Sequence, residues 1–250
     1  MTYAGGKGNC YHTIINQMPP HAVYIEPFLG GGTVMRLKRP APINIGVERD
    51  FHALQSTMAS IADCGDGISR LFICGDALAF LAGYKWRGDE LVYLDPPYPK
   101  ATRRDGRDVY RFELTDSHHV RLLDLIIALP CRVMISSYWS DLYAGKLASW
   151  RSITFQTMTR GGLMAQEWLW MNYGQPVRLH DYRYLGDTFR EREVITRRKR
   201  RWVARLAKMT DIERLAMLAA IDDVYGSSIA ESGDRSPTER PASSVKSKSD

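Results

Sequence analysis

The 250-residue sequence predicts an α/β fold in which a mostly parallel sheet carries helices on both faces. Three observations indicate this class. Short, continuously apolar runs recur through the first part of the chain, segments with helical apolar spacing separate them, and four of the runs end at or beside an acidic residue. Strands that are apolar throughout are typical of parallel sheets, because helices cover both of their faces.

The predicted strands and helices alternate along the chain. We expect strands at 23–25, 43–47, 71–74, 91–94 and 133–136, and a closing pair at 152–157 and 167–173. Helices are expected at 9–18, from 33 to 38, at 51–62, from 77 onward and at 116–129, with Thr115 as a favourable cap for the last of these. The segment 193–223 is charged and helical in pattern.

Acidic residues mark the ends of the first four predicted strands. Glu26, Glu48, Asp76 and Asp95 each lie at or just beyond the carboxyl end of a strand. In an open α/β sheet, ligands bind at that edge. The pattern therefore predicts a ligand site built from these four strand ends.

Composition indicates a globular chain of ordinary size. Hydrophobic residues make up 44% and charged residues 25% of the sequence, which argues against wholesale disorder. No run approaches the roughly 20 apolar residues that span a bilayer. The first residues lack the layout of a signal peptide. We expect a cytoplasmic protein without a membrane segment.

Metal binding is not expected from the cysteines or histidines. None of the four cysteines forms a CxxC pair, and no His/Cys cluster has zinc spacing. The neighbours His118 and His119 would not share a helix face.

Positive charge is concentrated late in the chain. The net charge is +6, whereas residues 183–208 alone hold ten Lys or Arg and three acidic residues, a net charge of +7. Such a segment suits a polyanionic partner, although a solvated basic helix is the alternative. We predict three parts: a main domain at 1–175, a basic and mainly helical extension at 176–225, and a disordered tail at 226–250 that is rich in Ser, Pro and charge.

A glycine turn follows the first predicted strand. The segment Glu26-Pro27-Phe28-Leu29-Gly30-Gly31-Gly32 lets the backbone approach a ligand, but a plain tight turn would look the same. Its spacing is not GxGxxG, and no Gly-Lys-Ser/Thr follows, which argues against a dinucleotide oxidoreductase and an NTPase. Glu48, or its competitor Asp50, could accept hydrogen bonds from both hydroxyls of a ribose. Asp76 could accept the amino group of an adenine, and a helix-cap role is the alternative for Glu48 and Asp76.

The most specific signal is Asp95-Pro96-Pro97-Tyr98, directly after the fourth predicted strand. Two prolines fix φ and remove two N–H donors, so the local carbonyls are held rigidly and are free to accept hydrogen bonds. A carboxylate and a carbonyl can accept both protons of a planar NH₂ group, while the tyrosine ring stacks on its face. The tetrapeptide therefore favours a site for an aromatic amine over a merely stiff loop.

These motifs together resemble the Dam-like DNA adenine methyltransferases over roughly residues 1–175. The 95–98 tetrapeptide resembles their catalytic DPPY motif, the glycine turn their FxGxG loop, and Tyr3-Ala4-Gly5-Gly6-Lys7 their N-terminal aromatic-AGGK motif. Ser136-Ser137-Tyr138 is similar to their Ser-Asn-Tyr segment near the target base. The resemblance implies a Rossmann-like methyltransferase fold and S-adenosylmethionine as cofactor. It implies catalytic roles for Asp95, Pro96, Pro97 and Tyr98, and cofactor contacts at Tyr3, Gly6, Lys7, Glu26, Phe28, Gly30, Gly32, Glu48, Asp76 and Asp95.

One departure concerns DNA recognition. In Dam a target-recognition domain lies between the glycine motif and DPPY, whereas here 62 residues separate Gly32 from Asp95 and the predicted elements use them all. DNA contacts must then come from the loop after residue 98 or from the basic segment, and a solvated loop is the alternative for the former. The predicted DNA contacts are Lys100, Arg103, Arg104, Arg107, Arg197, Arg198, Arg200 and Arg201.

The sequence as a whole predicts a monomeric, site-specific adenine-N6 methyltransferase that acts on double-stranded DNA. Methylation of RNA, methylation of cytosine N4, and a non-catalytic DNA-binding role on the same fold are the alternatives. The cytosine enzymes more often have Ser in place of Asp95. Whether the chain serves a restriction-modification pair, a phage or a regulatory system stays open.

Overall fold

The structure is a computed structural model, and it describes residues 7–62, 68, 70–103, 111–158 and 164–231, with side chains up to residue 226. Within these residues the strands are β1 (Val23–Glu26), β2 (Ile43–Glu48), β3 (Leu71–Cys74), β4 (Glu90–Leu94), β5 (Arg132–Ser137), β6 (Arg151–Met158) and β7 (Met164–Met171). The helices are α1 (Tyr11–Ile15), α2 (Thr33–Leu37), α3 (Phe51–Ala62), α4 (Ala77–Gly83), α5 (Asp116–Ile127), α6 (Asp141–Lys146), α7 (Phe189–Leu206) and α8 (Asp211–Glu231), with a short 3₁₀ turn at Lys100–Thr102.

The strands form one sheet in the order β3-β2-β1-β4-β5-β7-β6. The first five strands of that order are parallel, and β7 runs antiparallel to both β5 and β6. The order reverses between β1 and β4, which pair directly with Ile25 opposite Val92. Their carboxyl ends therefore lie side by side at a topological switch point, the usual ligand position in such sheets.

Two hydrophobic cores lie on opposite faces of the sheet. Alternate strand residues point to opposite faces: Ile25, Val92 and Leu94 belong to one core, and Tyr24 and Tyr93 to the other. The first core includes buried residues of α4, α5 and α6, and the second includes buried residues of α1, α2 and α3. The predicted α/β class, a mostly parallel sheet with helices on both faces, is confirmed.

The chain divides after Thr196, not at residue 175 as the sequence predicted. The two compact units are Met1–Thr196 and Arg197–Asp250, so the division falls within α7. Residues after 175 stay with the first unit because they are anchored to it. Asp181 is 2% exposed and accepts the N–H of Arg39 at 2.8 Å, and the Tyr184 hydroxyl donates to the Leu37 carbonyl at 3.0 Å.

The second unit contains the end of α7 and all of α8. The predicted tail begins at residue 226, but α8 continues to Glu231, and residues 232–250 lie outside the described part of the chain. None of the helices that the structure describes combines the length and the hydropathy needed to cross a membrane.

Candidate active site

A cleft lies at the carboxyl ends of β1 to β4. It holds about 1070 Å³ of space, including open solvent at its mouth, and sites for small molecules typically measure about 300–1,000 Å³. Every predicted cofactor residue within the described part of the chain lines it: Lys7, Glu26, Phe28, Gly30, Gly32, Glu48, Asp76 and Asp95. Tyr3 and Gly6 lie outside the described residues.

Two N–H groups of the glycine turn donate hydrogen bonds to other groups of the protein. Gly30 and Gly32 adopt positive φ angles of 49° and 58°. The N–H of Gly30 donates to Glu48 Oε2 at 2.8 Å, and that of Gly32 to the Leu29 carbonyl at 2.8 Å. A Cβ at position 32 would lie 2.6 Å from a Thr57 methyl group, so packing as well as φ requires glycine there. Because both N–H groups have partners, the turn does not offer them to a phosphate.

Glu48 is the carboxylate at the end of β2, and it is 8% exposed. Besides the Gly30 N–H, it accepts the N–H of Asp50 at 2.9 Å through Oε1. A carboxylate oxygen accepts more than one hydrogen bond, so both oxygens keep capacity for a hydroxyl group. Asp50 lines the same cleft, and the sequence alternatives Glu48 and Asp50 both stay available to a ribose.

Asp76 caps α4 and borders an apolar part of the cleft. Its Oδ1 accepts the N–H of Ala79 at 3.0 Å, so the helix-cap role is present. Oδ2 lies 3.7 Å from the guanidinium of Arg49. Leu78 and Phe112 line the cleft as well. A carboxylate edge beside apolar walls suits a flat ring that carries an amino group.

The charge of the cleft disfavours a phosphate-bearing ligand. Among the described residues, five acidic and three basic side chains line it: Glu26, Glu48, Asp50, Asp76 and Asp95 against Lys7, Arg49 and Arg111. Burial raises the pKa of Glu26 to about 8, so Glu26 adds little negative charge near neutral pH and the acidic excess is small. An acidic concave surface repels anions and attracts cations. This charge and the occupied glycine N–H groups both fit a cationic nucleoside better than a dinucleotide.

Asp95 follows β4 and forms an ion pair with Lys7. Lys7 Nζ lies 2.8 Å from Asp95 Oδ1, and the Ser136 hydroxyl donates to the same oxygen at 3.0 Å. The other oxygen, Oδ2, has no hydrogen-bond partner among the residues that the structure describes. Burial raises the pKa of Asp95 above its usual value, and the ammonium of Lys7 opposes that rise. The ion pair therefore fixes the carboxylate at the cleft and leaves one oxygen to accept a further donor.

Lys7 connects Asp95 to two more side chains. Its ammonium donates to the Tyr98 hydroxyl at 2.7 Å and lies 3.2 Å from Glu167 Oε2. Burial alone would lower the pKa of Lys7, but the carboxylates of Asp95 and Glu167 hold it above the ordinary value. The resemblance assigns Lys7 to the cofactor, yet its ammonium contacts Asp95 and Tyr98 of the 95–98 tetrapeptide.

Tyr98 is held at both its hydroxyl and its ring. The hydroxyl donates to Glu167 Oε2 at 2.8 Å, and the ring meets Tyr138 edge-on with centroids 4.7 Å apart. The side chain is 9% exposed. Because the Tyr98 ring is buried, a base can stack on it only after the Tyr138 side chain moves away.

Glu167 is the site residue that the sequence analysis missed. It lies on β7 and is 6% exposed, in the same alternating phase as the fully buried Leu169 and Met171. An acidic residue in the core-facing phase of an otherwise apolar strand was the available signal, since buried carboxylates require partners.

The structure corrects the role of Arg103. Its guanidinium donates to Glu113 Oε1 at 2.8 Å and to the Tyr98 carbonyl at 2.9 Å, and the side chain is 9% exposed. It is thus committed to the loop after β4 and is not presented to DNA. Lys100 is exposed on the 3₁₀ turn, and Arg104 and Arg107 lie outside the described residues.

The basic segment 183–208 belongs partly to the first unit and partly to the second. Arg197, Arg198, Arg200 and Arg201 lie exposed on α7, which has no buried residue. The preceding residues 180–184 belong to the first unit. Arg183 pairs with Asp181 at 2.7 Å and donates to the Leu37 carbonyl at 2.8 Å.

Comparison with known proteins shows likeness in the fold alone. No protein-family model and no curated protein matches the chain. A conserved hypothetical protein of Streptococcus pyogenes aligns with a TM-score of 0.47 and 16% identity, over 70% of this chain and 100% of that one. An rRNA methylase of Streptococcus thermophilus aligns with a TM-score of 0.44 and 12% identity, over 64% and 93%. Magnesium protoporphyrin IX methyltransferase of Synechocystis, with bound S-adenosylmethionine, aligns with a TM-score of 0.43 and 13% identity, over 64% and 74%.

One fold can host many different activities. The seven-stranded, mostly parallel sheet of this chain nevertheless fits the α/β methyltransferase fold that the sequence predicts.

Proposed function

We propose that the protein is an S-adenosylmethionine-dependent methyltransferase that modifies the N6 amino group of adenine in DNA. One observation carries the proposal. Asp95-Pro96-Pro97-Tyr98 ends β4 beside the glycine turn that ends β1, and both line one cleft. The proposed amine-accepting edge and the proposed nucleoside site would thus be adjacent.

The cleft suits the proposed cofactor in shape and charge. Glu48 or Asp50 would accept the ribose hydroxyls, and Asp76 would accept the adenine amino group beside Leu78 and Phe112. The excess of acidic groups favours the sulfonium and ammonium charges of S-adenosylmethionine. When bound, this cofactor supplies an electrophilic methyl group.

The chain's own residues would prepare the adenine for attack. The target base first leaves the duplex, at a cost of a few kcal/mol. The unpartnered Asp95 oxygen and the carbonyl of Pro96 or Pro97 accept its two N–H protons, and Tyr98 stacks on the ring. These hydrogen bonds favour a pyramidal nitrogen with a free lone pair, so catalysis rests on positioning and electrostatic stabilisation. Asp95 need not be a strong base, because the attacking nitrogen becomes acidic once methylated and would then lose a proton readily, to Asp95 or to water.

An exposed aromatic side chain supports a nucleic-acid substrate. Trp139 follows Tyr138, the residue that covers Tyr98, and is 49% exposed. Its ring packs on Trp168 with centroids 4.7 Å apart. A supported, half-exposed indole beside the tetrapeptide is suited to stacking on a base next to the target. The exposed arginines of α7 would contact phosphates.

Transfer of a radioactive methyl group from S-adenosylmethionine tests the proposal. Purified protein is incubated with DNA or RNA, and the labelled nucleoside is identified after digestion. We expect label in DNA as N6-methyladenine. The rate of methyl transfer should fall by at least about 100-fold in Asp95→Asn. It should not fall in Asp124→Asn, a surface control on α5. Label in RNA or in cytosine would reassign the substrate, and an unchanged Asp95→Asn rate would refute the site.

A further inference from the structure

Glu167 has no part in the methyl-transfer scheme above, yet it contacts two of its residues. Its Oε2 accepts the Tyr98 hydroxyl proton at 2.8 Å and lies 3.2 Å from Lys7 Nζ. Its Oε1 accepts the Thr157 hydroxyl at 3.0 Å. A carboxylate this deeply buried carries a large desolvation cost, which its partners must offset.

Lys7 is shared between two carboxylates. Its ammonium has three N–H donors, which face Asp95 Oδ1, the Tyr98 hydroxyl and Glu167 Oε2. The buried group of Lys7, Asp95 and Glu167 therefore carries one positive and two negative charges. If Lys7 faced Asp95 alone, it would neutralise the carboxylate and weaken it as an acceptor for an incoming amine.

The same carboxylate fixes the orientation of Tyr98. The Tyr98 hydroxyl accepts from Lys7 and donates to Glu167, so it has a partner in both roles. A ring anchored at its hydroxyl keeps the plane on which a base would stack. Glu167 thus acts on both contacts that the proposed reaction makes with the target base.

We propose that Glu167 is a positioning residue for methyl transfer, which shares the Lys7 ammonium with Asp95 and anchors the Tyr98 ring. The assignment rests on the proposed function above. Charged and titratable groups from several elements interact electrostatically with Asp95: Lys7, Cys10, Tyr24, Glu26, Tyr93, Tyr98, Tyr138, Tyr143 and Glu167. Burial raises the pKa of Asp95, Lys7 lowers it, and the Glu167 charge raises it.

Two matched variants separate positioning from mere packing. Glu167→Gln keeps the shape but removes the charge, whereas Asp124→Asn makes the same kind of change at an exposed carboxylate on α5 and leaves every contact of Glu167 in place. We expect Glu167→Gln to lower kcat by about tenfold to a hundredfold, with sinefungin affinity within about twofold, and to move the acid limb of the pH–rate profile to lower pH. Glu167→Asp should restore part of the rate, and Asp124→Asn should match wild type. Equal rates and profiles in Glu167→Gln and wild type would overturn the proposal.

A second measurement needs no activity. The Asp95 carboxyl carbon is titrated by NMR in ¹³C-labelled wild type, Glu167→Gln and Asp124→Asn, with Asp95→Asn for assignment. The pKa of Asp95 should fall in Glu167→Gln and stay unchanged in Asp124→Asn. If the pKa of Asp95 were the same in Glu167→Gln as in wild type, the proposed sharing of the Lys7 ammonium would be overturned, even if wild type methylated DNA. A fall in an enzyme that methylates nothing would uphold the charge sharing and refute only the proposed function.

Discussion

Glu26, the last residue of β1, has a buried carboxyl group. It is 3% exposed, and the Tyr24 hydroxyl donates to its Oε2 at 3.0 Å. Burial raises the pKa of Glu26 to about 8, against the lowering effect of the Tyr24 hydrogen bond. Lys38, buried nearby over the Tyr24 ring, has a pKa lowered by burial to about 7.

This environment predicts a pH-dependent cost of ionising Glu26. Between the unfolded pKa of about 4.5 and the folded value of about 8, the folded chain binds more protons than the unfolded chain. The Glu26 contribution to stability therefore falls as pH rises through that window, by at most about 1.4 kcal/mol per pH unit.

Glu26→Gln removes this contribution and should gain stability relative to wild type as pH rises from 5 to about 8. Urea unfolding of both proteins across that range, followed by circular dichroism, measures the difference. Glu90→Gln, a change at a buried carboxylate that binds the N–H groups of Arg87 and Gly88, is the control. Unfolding free energies of Glu26→Gln and wild type that run parallel across the range would contradict the prediction.

Residue types at the site could be predicted from the sequence, but their pairing could not. Lys7 and Asp95 each belong to a recognisable motif, yet 88 positions separate them, and the strand order brings them within 2.8 Å. Glu167 belongs to no motif and comes from a strand that inserts beside β5. Long-range pairs of this kind depend on sheet topology, which local patterns do not encode.

At the scale of the element, the regular strands and helices agree with the sequence patterns. The five parallel strands overlap the predicted runs. Strands β1 and β4 are buried throughout, and β2 and β5 are buried except at their first residues, whereas the edge strand β3 is partly exposed. Helix α5 begins at Asp116 after the predicted Thr115 cap, whose side chain accepts the His118 N–H. The short α6 had no predicted counterpart, since a helix of six residues has too few positions to show a periodicity.

The loop after β4 shows a second use for a basic residue, at Arg103. Its arginines suggested a surface for DNA, but Arg103 is fixed by Glu113 and by the Tyr98 carbonyl. Arginine presents five donors in a rigid fork, so it is as well suited to fixing a loop as to binding phosphate. Composition alone does not distinguish these two uses.

For the whole molecule, the excess positive charge lies mainly outside the sheet. The α7 arginines at 197, 198, 200 and 201 are exposed and belong to the second unit. Each Lys or Arg that contacts a phosphate contributes about one unit to the slope of log affinity against log salt. Substituting two of these arginines should therefore change that slope by a measurable amount.

Arg198→Ala/Arg200→Ala should weaken DNA binding and reduce that salt slope by about 2. Lys85→Ala/Arg121→Ala makes the same charge change at exposed positions of the first unit and serves as the control. Fluorescence anisotropy with a labelled duplex at several salt concentrations measures both. If the α7 pair and the control pair gave the same slope, the DNA surface would lie elsewhere.

A crystal structure with sinefungin, an unreactive analogue of the proposed cofactor, tests the central claim most directly. We expect the analogue in the cleft between the glycine turn and Asp95, with its ribose hydroxyls on Glu48 or Asp50 and its adenine beside Asp76. One Asp95 oxygen should still face the cleft. An empty cleft at saturating sinefungin, or an Asp95 whose two oxygens both bind protein groups, would contradict the account.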